Sequence, residues 1–187
     1  MHPSRRHSRW TTPLVALAAA LAGAALSPIT SSILNTPVAG AEPADVVESA
    51  APLDAATAEL QLLALTNIDR EQNGVPPLAA DPETLSIARD RAGSQLDVPA
   101  LSHYDGNGQL AFVQLLVRSG LEYTVAGENL ARSSVTDTAV TERVEEALMR
   151  SPSHRKNILD QTFTRVSIGA ATDETGRISF AEIFRAE

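Results

Sequence analysis

Residues Val166 to Phe184 read VSIGAATDETGRISFAEIF. Val166, Ile168 and Ala170 alternate with small or polar residues, and Ile178, Phe180 and Phe184 repeat the pattern, with Glu182 the one polar interruption of the second run. A period of two marks a strand with one buried face. Between the two runs stands Asp173-Glu174-Thr175-Gly176, a turn containing glycine. The stretch is therefore predicted to be an antiparallel hairpin.

Upstream of the hairpin the period becomes helical. Leu60, Leu63, Ala64 and Ile68 recur at helical spacing, and Asn73-Gly74 followed by Pro76-Pro77 stops them. Asp81-Pro82 reads as an N-cap with proline at the first helical position, ahead of a second helix that turns Leu85, Ala88, Ala92 and Leu96 inward. A polar loop runs from Asp97 to Gly108. Leu110 to Ser119 is a third helix, apolar on two sides, which predicts burial around much of its circumference. Glu122 to Ala131 reads as irregular or strand-like. Asp137 is placed to cap a fourth helix with Val140, Val144, Ala147 and Leu148 inward; Pro152 ends it, and Ser153 to Leu159 is a turn or short helix. Helices first and a hairpin last predict an α+β domain in which helices cover an antiparallel sheet, not a doubly wound parallel one. The sequence shows no internal repeat, which argues against a solenoid.

The N-terminal third differs in kind. Arg5, Arg6 and Arg9 precede an uninterrupted 13-residue run of Leu, Val, Ala and Gly from Leu14 to Leu26. Small residues then lead to Ala39-Gly40-Ala41, an A-x-A site before Glu42, so residues 1–41 read as a secretory signal. The apolar run is short of the roughly 20 residues a spanning helix needs. After cleavage no integral membrane span is expected. Residues 42–57 are rich in Ala and Pro and carry only acidic charge, which predicts a solvated linker to a domain over residues 58–187.

The whole chain of 187 residues has net charge −8. Past the leader, 12 basic residues face 23 acidic ones. Such a balance repels nucleic acid and anionic lipid, so neither is an expected partner. The absence of cysteine excludes a disulfide framework, thiolate-bound zinc and a thiol nucleophile.

Chemistry concentrates in three short segments. The only histidines beyond the leader are His103, in Ser102-His103-Tyr104-Asp105-Gly106, and His154, in Ser151-Pro152-Ser153-His154-Arg155. Between them lies Gly127-Glu128-Asn129-Leu130-Ala131, where a carboxylate in apolar surroundings needs a partner. Imidazole and carboxylate are good ligands for zinc and similar ions. Spacing alone leaves two arrangements open. In one, His103, Glu128 and His154 converge. In the other, His103 hydrogen-bonds within its loop, Glu128 is a paired core carboxylate and His154 caps a helix end. A serine nucleophile at Ser102 or Ser153 is disfavoured, because no G-x-S-x-G turn carries it. Arg150, Arg155 and Lys156 read as solvated charge near a helix C-terminus.

Taken in order, these segments resemble the CAP superfamily, also called SCP-like extracellular domains. The resemblance runs from about Ala58 to Glu187. It includes Leu62 to Asn67 with Arg70 and Asn73 to Leu78, Leu101-Ser102-His103, the Gly127 to Ala131 motif, and Ser151 to Leu159 in the form found in the bacterial branch. The resemblance implies a three-layer α-β-α sandwich with a central antiparallel sheet. It also implies an open cleft where His103, Glu128 and His154 meet, with Ser102, Asn129 and Ser151 around it. In the family that cleft is typically two histidines and two acids, and it can hold a divalent metal, zinc above all. Here the second acid has no clear counterpart. Its register falls near Ser151, and Leu148 replaces the aromatic residue usual in that helix. The implied metal site is a three-ligand one of His103, Glu128 and His154. The resulting expectation is a secreted or envelope-associated bacterial protein, a non-enzymatic binding module for a small-molecule, lipid or glycan ligand or a protein partner. The alternatives are a metal-dependent hydrolase of peptide or cell-wall material and a structural envelope protein.

Overall fold

The computed structural model describes residues 53–135 and 137–186. The signal reading of residues 1–41 and most of the linker lie outside the described residues. Helix α1 (Ala55–Gln72) begins inside the stretch assigned to the linker. The cause is Asp54, whose carboxylate accepts from the Thr57 amide at 3.0 Å and from its hydroxyl at 2.5 Å, satisfying a free donor of the first turn. Gly74, at φ 72°, turns the chain away after Asn73.

A two-residue strand β1 (Ala79–Ala80), too short to leave a pattern in the sequence, precedes α2 (Leu85–Ser94). Asp81 does not cap α2. Its carboxylate accepts from the Glu83 amide and the Thr84 hydroxyl in the turn before the helix, and from the Arg185 guanidinium at 2.8 and 3.1 Å. Helix α3 (Ala111–Arg118) buries only Phe112 and Leu116, while Val117 is 62% exposed. The all-round burial expected of α3 is thus corrected to a one-sided contact. In α4 (Val140–Arg150) the inward residues include Val140, Val144 and Leu148, but Ala147 faces out and Thr141 and Glu145 face in. Pro152 ends α4 and opens α5 (Pro152–Ile158), where its missing N–H costs nothing.

The region around Gly127 is a full strand, β2 (Val125–Ser133), because it pairs along its whole length with the last strand. The hairpin forms as read, with β3 (Arg165–Thr172) against β4 (Ile178–Ala186), closed by Gly176 at φ 80°. The sheet order is β1-β3-β4-β2; only β1–β3 is parallel. Strand alternation divides the core into two. On one face Phe180, Phe184, Val166 and Ile168 pack against Ala58 and Leu62 of α1, Val144 and Leu148 of α4, and Ile158 of α5. On the other, Ile183 packs with Ile87 and Ala88 of α2 and Phe112 and Leu116 of α3. The result is the α-β-α sandwich that the resemblance implied. Each fully buried Phe or Leu contributes about 1.5–3 kcal/mol.

Two features lock the layers. Gly169 lets α2 lie directly on the sheet: a Cβ there would stand 2.2 Å from the Ala88 carbonyl carbon. Glu59 of α1 accepts from the Ala170 amide on the open edge of β3 and from Arg89 of α2 at 2.7 and 2.8 Å, joining both helix layers across that edge.

Candidate functional site

β2 is the outer strand of the sheet, and its pleat sends consecutive side chains to opposite faces. Glu128 therefore points toward α2 and Asn129 toward the α4–α5 side. The Glu128 side chain has no exposure and would be costly there unpaired. Arg91 supplies the charge: its Nε donates to Oε1 at 2.7 Å and its Nη2 to Oε2 at 3.2 Å. The same Nη2 donates to the Ser102 carbonyl at 2.7 Å, so α2, β2 and the His103 loop are tied at one guanidinium. Such a two-pronged contact fixes direction as well as charge.

His103 completes the contact. Its Nδ1 lies 2.7 Å from Glu128 Oε2. An ionised carboxylate only accepts, so Nδ1 carries the hydrogen and Nε2 is left with a lone pair. The side chain is 38% exposed, so the ring is reached by solvent. The loop that presents it is stiff. Asp105 Oδ1 accepts from the Asn107 and Gln109 amides, the Gln109 bond foremost in holding its carboxyl below the usual range, and Tyr104 bridges to Leu110.

On the other face of β2, Asn129 donates to Glu182 Oε2 at 2.8 Å and to the His154 carbonyl at 3.2 Å, and accepts from Asn157 at 2.9 Å. Asn157 also donates to the Glu128 carbonyl at 3.3 Å. These bonds seat α5 on β2 and bring His154 to the His103 side. Burial first, and the nearby His103 second, lower the His154 pKa, keeping its imidazole neutral.

His103 and Glu128 are thus in direct contact and His154 lies near enough to feel the charge of His103, but the three are not an open three-ligand set. Both Glu128 oxygens are engaged, and the charge beside them is already the Arg91 guanidinium. Among the described residues no group of three or more His, Asp and Glu side chains is arranged to hold a metal. Glu128 is the residue behind His103, not a donor beside it. The Ser102 hydroxyl donates to the Tyr104 carbonyl and accepts from the Tyr104 amide, and Ser151 pairs with Ser153 at 3.2 Å. Neither hydroxyl has a hydrogen bond to a histidine. Arg150 pairs with Glu146 and Arg155 with Asn73, as solvated charges. Sequence reading missed Arg91 and Asn157 as site residues. The signal for Arg91 was present: it lies three residues after Ala88 and beside Ala92, a cation on the apolar stripe of α2.

The model of the cysteine-rich secretory protein (CAP) family matches residues 63–184. An uncharacterized Bacillus subtilis protein, YkwD, is 34% identical over 122 residues, 65% of this chain and 45% of that protein. An uncharacterized membrane protein of the same organism, YlbC, is 29% identical over 114 residues, 60% of this chain and 31% of that protein. The chain therefore spans less than half the length of these relatives. Among solved structures, an extracellular protein of Bacillus anthracis containing an SCP domain is 26% identical, with TM-score 0.59 over 71% of this chain and 41% of that one. An outer surface protein of Borrelia burgdorferi shares the fold, with TM-score 0.60 at 15% identity over 74% of this chain and 98% of that one. With the family model covering more than half of its length, the chain belongs to the cysteine-rich secretory protein (CAP) family, although it has no cysteine of its own.

Proposed function

We propose that this chain is an extracellular, envelope-associated binding module, and that the groups meeting its ligand are the imidazoles of His103 and His154. The observation that carries this reading is the double engagement of Glu128 by Arg91 and His103. A carboxylate so placed has no exposure and is held by a guanidinium and a ring N–H, so it does not meet substrate or solvent directly. Its work is to orient His103 with Nε2 away from it. Leu101, Tyr104 and Leu110 of the His103 loop are exposed and offer apolar surface to a ligand. The extracellular placement rests on the leader and on the B. anthracis neighbour, itself an extracellular protein. No helix among the described residues is long and apolar enough to cross a membrane.

A divalent ion such as zinc would be held by His103 and His154, with Glu128 as the partner that sets the His103 ring. Bound there, it would supply charge for an anionic or carbonyl group of a ligand. Calorimetric titration of the full chain with zinc tests the assignment. The expected result is saturable one-to-one binding that is lost in His103→Ala and in His154→Ala and is weakened about 10- to 100-fold in Glu128→Gln. Zinc uptake unchanged in both histidine variants, or none in the parent, would overturn it.

A further inference from the structure

Behind β2, three elements bring acidic groups together in the core. Glu182 of β4 is 1% exposed and Glu145 of α4 is 4% exposed. Thr66 of α1 stands between them, its Oγ1 3.2 Å from Glu145 Oε2 and 3.0 Å from Glu182 Oε1. One hydroxyl carries one hydrogen, so it can donate to only one of the two. The other contact needs a hydrogen on a carboxyl oxygen. Asp69, one turn further along α1, faces Glu145 and adds a third acid. Glu145 Oε1 is buried and has no hydrogen-bond partner.

Among the described residues no Arg or Lys pairs with Glu145 or Glu182. Arg70 of α1 is spent on the carbonyls of Pro76, Ile158 and Asp160. On α4, Arg143 pairs with Asp137 and Arg150 with Glu146; on α5, Arg155 bonds Asn73, and Lys156 is exposed. His154 of α5 is linked to the cluster through its carbonyl and Asn129. From β3 the facing residues are apolar Val166, Ile168 and Ala170. Burial, reinforced by Glu182 and Asp69, raises Glu145 to about 9, and burial raises Glu182 to about 7.

We infer that Glu145 and Glu182 share a proton that holds α4 and α5, and with them His154, against the sheet, and that its loss in mildly alkaline solution releases the two helices. With the proton present, Thr66 and Asn129 satisfy every oxygen of the pair but Glu145 Oε1. With both carboxyls charged, two donors face two adjacent anions in an apolar setting, and the relief is for α4 to move away and admit water. Because α4 runs into α5 at Ser151 and Asn129 joins Glu182 to α5, His154 moves with it. The device is independent of what the cleft binds.

The test uses the full chain and needs no variant to begin. Carbon-13 spectra of the glutamate carboxyls should show two resonances that remain protonated through about pH 5.5 and titrate only above it. Amide exchange, corrected for its intrinsic pH dependence, should show protection over residues 140–158 falling at least about tenfold between about pH 6 and pH 9, while β3 and β4 hold. Glu145→Gln keeps a neutral group of the same shape and should flatten this profile; Glu182→Gln should do the same where the first variant does not fold. All glutamate carboxyls titrating below about pH 5.5, or protection of 140–158 following that of β4 at every pH, would overturn the inference.

Discussion

Removing the Arg91 guanidinium while leaving Glu128 in place strands a carboxylate whose side chain has no exposure. Arg91→Ala should therefore cost about 3–5 kcal/mol in denaturant unfolding, more than the loss of any exposed ion pair such as Arg150–Glu146. A cost below about 1 kcal/mol would mean that Glu128 finds another partner. His154 should titrate below the ordinary histidine value of 6.5, because burial and His103 both disfavour its charged form. The unfolded chain takes up that proton first, so this residue lowers stability as pH falls through 6.5 and has no effect well above it. Proton NMR of the ring, assigned by His154→Ala, checks the value. At this scale the sequence was informative about residue types and silent about direction. The resemblance grouped His103, Glu128 and His154, and of these the His103–Glu128 contact is direct. That Glu128 turns toward Arg91 was not legible, because a strand's facing is set by its partners and Arg91 lies 37 residues from Glu128 in the chain.

The helices and strands were legible where periodicity was long, as in α2, α4 and the β3–β4 hairpin; α1 was legible as an element, but Leu60, Ala64 and Ile68 of its apolar repeat face outward, and its buried face is Ala58, Leu62, Thr66 and Arg70. They were not legible where tertiary pairing creates the element: β1 has two residues, and β2 is a strand because β4 offers it an edge. The glycine at 169 belongs to the same class, since in sequence it looks like an interruption of a strand. In the fold it admits the α2 backbone, with 2.2 Å between a hypothetical Cβ and the Ala88 carbonyl carbon. Gly169→Ala must push α2 off the sheet, and with it Arg91. The expected outcome is a loss of about 1–3 kcal/mol or more, together with a shifted His103 ring resonance, because the Arg91–Glu128–His103 chain hangs from α2. An unfolding midpoint equal to that of the parent would show that α2 is not clamped there. Polar intrusions on apolar stripes carried information that pattern reading passed over: Arg91 on α2, Glu145 on α4 and Glu182 on β4 all mark places where the core has a second task.

For the whole molecule the two buried systems act with opposite sign on pH dependence. Glu145 and Glu182 bind protons more tightly folded than unfolded, so their contribution is fully present below the unfolded value of 4.5 and is lost as pH rises through 7 to 9. His154 works against stability only below 6.5. The unfolding midpoint should therefore decline from about pH 6.5 to about pH 9 in the parent and stay level in Glu145→Gln; a midpoint rising over that range contradicts the assignment. The central assignment is the orientation of His103: proton on Nδ1 toward Glu128, lone pair on Nε2 away from it. Long-range proton–nitrogen correlation spectra of the histidine rings at pH 7.5 read this directly, with His103→Ala and His154→Ala for assignment. The expected result is His103 with a protonated Nδ1 and a bare Nε2. A His103 ring bare at Nδ1 and protonated at Nε2 would contradict it, because Glu128 would then not be the residue that orients the imidazole.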